Sequence, residues 1–116
     1  MIIKKPAQVP AKPVDMDGVK DAKVQVIFGP DDQAPSFAMR IFELAGGGHT
    51  PYHEHAFEHE VMILQGDIAV VTPEKEIPVE QGDMILILPG ETHQFKNRSE
   101  SAPARFMCLV PIAYQP

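Results

Sequence analysis

His53-Glu54-His55-Ala56-Phe57-Glu58-His59 carries three histidines within seven residues, and a fourth, His93, closes the stretch Gly82-Asp83-Met84-Ile85-Leu86-Ile87-Leu88-Pro89-Gly90-Glu91-Thr92-His93. Imidazole nitrogen is the commonest protein ligand for mid-to-late divalent metals, so the cluster is first a metal-site hypothesis. Whether the segment is helical or extended decides both fold and chemistry.

The helical reading rests on His55-Ala56-Phe57-Glu58-His59, which fits H-x-x-E-H, the inverted zinc-protease signature. That chemistry needs a helix, so that histidines four apart share a face. The neighbouring residues supply none. Thr50-Pro51 precedes the cluster, Val61 and Ile63 follow it, and Gly66-Asp67 closes the segment. The extended reading uses a period of two: positions 53, 55 and 59 share parity and are expected on one face of a strand. His93 then opens another strand after a turn that swings it toward the same interior. A lone histidine on a strand is more often an ordinary core or surface residue. Four buried together without metal would each need hydrogen-bond partners or cost about 1–3 kcal/mol. His53, His55, His59 and His93 are therefore read as ligands of one divalent metal, and His49 as loop.

Outward from the cluster the text is β. Lys23–Phe28 and Ser36–Leu44 are rich in β-branched and aromatic residues, with Gly29-Pro30-Asp31-Asp32 between them. Glu60–Leu64 and Ile68–Thr72 flank Gly66-Asp67, which reads as a tight hairpin with glycine at positive φ. Glu76–Val79 and Met84–Leu88 follow. Pro89-Gly90 suits a type II turn, and His93–Asn97 and Arg105–Val110 complete about ten short strands. No window shows convincing helical periodicity, which points to a sandwich or barrel. Residues 1–20, punctuated by Pro6, Pro10 and Pro13, read as an extended arm, with a short strand at Ile2–Lys4, lying on the barrel or on a neighbouring subunit. Residues 21–116 form the barrel domain.

The composition suits a globular domain: 116 residues, 44% apolar, with twelve prolines and eight glycines favouring turns over long helices. A net charge of −6 argues against a nucleic-acid partner. The single Cys108 excludes an intrachain disulfide, no signal peptide is legible at the N-terminus, and no apolar run could span a membrane. Cytoplasmic residence is the expectation.

The two motifs resemble those of the cupin family. The first cupin motif, G-x5-H-x-H-x3-E-x6-G, is met by Gly47, His53, His55 and Gly66, with His59 where the glutamate ligand usually stands. The second, G-x5-P-x-G-x2-H-x3-N, is met by Gly82, Gly90, His93 and Asn97, with Leu88 in place of the first proline. The resemblance covers residues 47–97, and the intermotif spacing suits small prokaryotic cupins. It implies an all-β fold, a double-stranded β-helix or jelly-roll barrel. With His59 in the glutamate position, the chain resembles small single-domain cupins with a four-histidine site. This implies one divalent transition metal per chain, Mn(II) favoured, with Fe(II), Ni(II), Cu(II) or Zn(II) as alternatives.

Without a carboxylate ligand a divalent ion keeps its full charge inside the barrel, which favours an anionic substrate or oxygen species and strengthens Lewis acidity. Five or six coordination leaves open positions, whereas tetrahedral Zn with four histidines is closed. Phe95, Phe106 and Cys108 are expected to line the pocket. Arg40, the cation in an otherwise apolar strand, is placed either at the pocket, holding an anion, or at a solvated edge. No general base is evident. The favoured function is a metal-dependent, dioxygenase-like oxidoreductase acting on a small organic substrate, in a homodimer that buries the N-terminal arm and an exposed sheet edge. A non-catalytic ligand-binding or sensor cupin and a metal-dependent isomerase or lyase are the rivals. Turnover separates the first rival from an enzyme, and activity with Zn or Ni marks the second.

Overall fold

The computed structural model describes residues 1–116 as an antiparallel all-β jelly roll, with no α-helix and three single-turn 3₁₀ segments. The strands are β1 (Lys12–Pro13), β2 (Lys20–Phe28), β3 (Phe37–His49), β4 (His59–Gln65), β5 (Ile68–Val71), β6 (Glu76–Val79), β7 (Met84–Ile87), β8 (Gln94–Asn97) and β9 (Ala104–Pro111). Their order is β6-β5-β8-β3-β9-β4-β7, with β2 also paired to β3 and β1 to β2.

The 13-residue β3 organises the molecule. From Phe37 to Leu44 it pairs with β9, and at His49 with Lys96 of β8. The change of partner falls at Gly46-Gly47-Gly48. Gly47 sits at φ +72°, and a Cβ on Gly46 would lie 2.2 Å from the carbonyl oxygen of Glu100, so neither position accepts a side chain. Asn97 holds this bend. Its buried amide donates to the carbonyls of Leu44, Ala45 and Ala102 at 3.2, 3.0 and 2.8 Å, and its Oδ1 accepts from Ser99 N at 3.0 Å.

Alternation along each strand builds the core. On β3, Ala38 and Leu44 are fully buried; on β4 and β9, Val61, Ile63, Ala104, Phe106, Cys108 and Val110 face the same interior. Phe106 stacks on Phe42 and on Phe95, with ring centroids 5.2 and 4.7 Å apart.

Several sequence expectations change. The strands beside Gly66-Asp67 do not form a hairpin: β4 pairs with β7 and β9, and β5 with β6 and β8. Gly66 does take positive φ (+94°), but there the chain crosses from one half of the barrel to the other. Ile2–Lys4 forms no strand. The arm lies on its own barrel, one of the two placements expected, where the Gln25 amide donates to the carbonyls of Pro6 and Val9 at 2.7 and 2.9 Å and Lys4 pairs with Asp32 at 2.7 Å. No helix is long and apolar enough to cross a membrane.

Candidate metal centre

The four histidines meet at the seam between the two halves of the barrel. They do not share one strand. His53 stands alone in a β-bridge to His93, the chain bends at Ala56 and Phe57, and His59 opens β4. Parity therefore does not explain the convergence at His53 and His55; the bridge and the bend do. The absence of a helix also removes the H-x-x-E-H protease geometry. His49, read as loop, is the last residue of β3, and its Nδ1 lies 3.0 Å from the carbonyl of Thr50, outside the cluster.

Local turn chemistry fixes two of the rings. Leu88-Pro89-Gly90-Glu91 forms the expected turn, with Gly90 at φ +82° and Glu91 N donating to Leu88 O at 3.2 Å. Gly90 N donates to the His55 carbonyl at 2.9 Å, tying the turn to the first motif. The Glu91 carbonyl accepts from His93 Nδ1 at 2.7 Å, and the Phe57 carbonyl from His55 Nδ1 at 2.8 Å. A carbonyl can only accept, so both Nδ1 atoms carry hydrogen when the rings are neutral and the Nε2 lone pairs are left for a metal. Ligand atoms of His53, His55 and His93 lie within 4.8 Å of one another. His59 Nε2 lies 2.5 Å from His55 Nε2, and its Nδ1 meets Cys108 Sγ at 2.8 Å. The two Nε2 atoms face each other at that separation, and a metal at about 2.0–2.1 Å from each would need them to move apart. The donor set fits a divalent transition metal, and His53, His55 and His93 can hold one.

Electrostatics favour the metal-binding protonation state. Burial, then the neighbouring His55 and Arg40, lowers the His59 pKa to about 3. Burial likewise lowers His53 and His93, the latter against the Glu91 carbonyl, which acts the other way. Burial pushes the Cys108 thiol up, partly offset by Arg40.

The rings open into a cavity of about 450 Å³. Arg40, Phe95, Phe106 and Cys108 all line it. So do residues that the sequence reading missed: Val14, Asp15, Met16 and Val19 of the arm, Phe42, Phe57 and Tyr114. Phe42 shares parity with Arg40 and was recoverable on that ground. The arm residues carry no periodic signal, and Phe57 enters because the chain bends beneath it. Phe57 stacks on His55 and on Tyr114, both with centroids 4.0 Å apart, joining the imidazole cluster to the exposed Tyr114.

Residues 40–110 match the family model described as a cupin domain, more than half of the chain. The chain belongs to the cupin family. It is similar over its whole length to the polyketide cyclase RemF from Streptomyces resistomycificus, at 30% identity and a TM-score of 0.92, covering 82% of that chain. It is 32% identical over 72 residues to 1-methylthio-D-xylulose 5-phosphate methylsulfurylase of Rhodospirillum rubrum. That match takes in 62% of this chain, which spans about half (46%) of the length of that curated relative. A predicted oxalate decarboxylase from Thermotoga maritima shares the fold at a TM-score of 0.83 and 16% identity, covering 96% of this chain and 99% of that one.

Proposed function

We propose that this cupin is a metal-dependent enzyme of carbonyl chemistry, with a divalent ion held by His53, His55, His59 and His93, that promotes cyclisation of a small, carbonyl-rich substrate. The observation that carries the reading is the cavity: it is lined by four imidazoles and by the rings of Phe42, Phe57, Phe95, Phe106 and Tyr114, with Asp15 of the arm as its sole carboxylate side chain. The likeness to a polyketide cyclase over the full chain supplies the reaction class.

A bound ion would supply Lewis acidity toward a carbonyl or enolate oxygen. The chain's own residues do the rest. The carbonyls of Phe57 and Glu91 orient the rings of His55 and His93 through Nδ1. Phe42, Phe95 and Phe106 present a stacked apolar wall that favours flat, conjugated molecules over hydrated ones. Phe57, Tyr114 and Val14, Met16 and Val19 of the arm complete the largely apolar lining.

A 1,3,5-triketone offered without oxygen provides the test, with cyclisation followed by ultraviolet absorbance. The Ni(II)-loaded protein should accelerate the reaction beyond the free ion, and His59→Ala should abolish the gain. The dioxygenase-type reading uses the same site but requires oxygen. Oxygen uptake stoichiometric with turnover, and inactivity without it, would favour that reading and overturn this one.

We also propose that the chain pairs with a second copy. Met84 of β7, Met62 of β4 and Met107 of β9 lie side by side in register on the outer face, next to Leu86 and Leu109. The arm covers the neighbouring Ile41 but leaves this row open beside the unpaired edge of β7. Light scattering should give a dimer, and Leu86→Asp a monomer; a wild-type monomer would contradict the pairing.

A further inference from the structure

Arg40 is out of keeping with its surroundings. It points inward from β3 between Ala38 and Phe42, and pairs in register with Cys108 of β9 and Val26 of β2. Its Nη2 donates to Cys108 Sγ at 3.2 Å, a weak acceptor, and its guanidinium carbon lies 4.9 Å from the Phe42 ring centroid. Its Nε is buried with no hydrogen-bond partner, the one such side-chain nitrogen or oxygen in the chain. None of the three ion pairs includes it. Arg40 is half-buried, and a guanidinium with one nitrogen shut off from water and no counter-anion is costly, so proteins keep such a group where something else completes it.

The same cavity contains what would complete it. Arg40 and His59 both contact Cys108 Sγ, so a single sulfur atom separates the guanidinium from the imidazole cluster. Neither Asp15 nor the terminal carboxylate of Pro116, which both line the cavity, forms an ion pair with Arg40. Phe42 lies under the guanidinium and belongs to the stacked ladder with Phe106 and Phe95, so an anion held by Arg40 would have its conjugated body against those rings.

We propose that Arg40 is the specificity-determining anchor for a carboxylate on a flat, conjugated substrate, placing the substrate's carbonyl region toward the histidines. The proposal rests on reading this cavity as the substrate site. It adds a substrate class, an aromatic or polyenic carboxylic acid, and a second fixed point that sets which end of the molecule meets the imidazoles. Guanidinium suits the task because its planar fork matches a carboxylate.

Calorimetric titration of 2-naphthoate and its neutral isostere 2-naphthamide tests this, with the protein as purified and after EDTA treatment. The metal-free arm removes any carboxylate–metal contact. Wild-type protein should bind naphthoate more tightly than naphthamide in both forms. Arg40→Met should weaken naphthoate by about tenfold or more, the scale of a lost charge-assisted hydrogen bond, while naphthamide changes little. Its metal content should equal that of the wild type, and Arg40→Lys should recover part of the loss. Equal affinity for the two ligands in metal-free wild-type protein would overturn the Arg40 role and leave the cavity reading standing, even if Arg40→Met does not fold. Unchanged naphthoate affinity in Arg40→Met would do the same. Failure of both ligands to bind would overturn the cavity reading together with the anchor.

Discussion

His53 and His93 are joined through their main chains: His53 N donates to the His93 carbonyl at 3.1 Å, and His93 N to the His53 carbonyl at 2.9 Å. This isolated bridge brings together two motifs that lie far apart in sequence, and it holds their rings with centroids 5.4 Å apart. An ion bound there would tie the two halves of the barrel together, so metal binding and fold stability should be linked.

The first prediction concerns that link. Adding Mn(II) or Zn(II) to EDTA-treated protein should raise Tm, by the equivalent of about 2.7 kcal/mol at a hundred times Kd. Differential scanning calorimetry checks it. An unchanged Tm at saturating metal would separate the site from the fold.

Ligand substitutions follow. By elemental analysis, His59→Ala and His93→Ala should each lose most bound metal, while His49→Ala should keep it, because His49 is turned to the Thr50 carbonyl and away from the cluster. Full occupancy in both of the first two variants would contradict a four-histidine site.

The pH dependence has a definite sign. His59 is held neutral, with its pKa lowered from 6.5 to about 3. In the unfolded chain it takes up its proton near the ordinary value, so between pH 6.5 and 3 the unfolded state binds more protons than the folded one. Stability of the metal-free protein should be full above pH 6.5 and should fall as pH drops through that window; His53 and His93, shifted the same way, add to the loss. Bound metal should be released over the same acid range, because protonated imidazole cannot ligate. Urea titrations across pH 4–8 (about the histidine range) check the direction, and greater stability at the acid end would refute it.

Asn97 supplies a structural control. Asn97→Ala removes two N–H donors shared among three carbonyls at the β3 bend, and a buried acceptor left unsatisfied costs about 1–3 kcal/mol. Tm should fall markedly while the folded variant still binds metal. Loss of metal without loss of stability would move Asn97 from the scaffold to the site.

The strands were legible wherever apolar alternation was bounded by turn residues: β2, β4, β7 and β9 lie within a few residues of their expected bounds. Pro89-Gly90 was legible because that turn type demands those residues. Gly66-Asp67 misled, because positive φ at glycine serves a crossover as well as a hairpin, and only the choice of strand partners distinguishes them. The histidines were legible as a group, but their geometry was not. Parity presumes a continuous strand, and the bend at Ala56 and Phe57 breaks it. The arm's share of the cavity left no trace in periodicity, since Val14, Asp15, Met16 and Val19 are placed by tertiary contacts alone.

Anomalous scattering from crystals of the protein as purified, recorded across transition-metal absorption edges, tests the central claim most directly. The account predicts one divalent transition-metal ion per chain, bound to His53, His55, His59 and His93. A peak at other residues, or a cluster that takes up no metal even when saturated with Mn(II) or Zn(II), would contradict it.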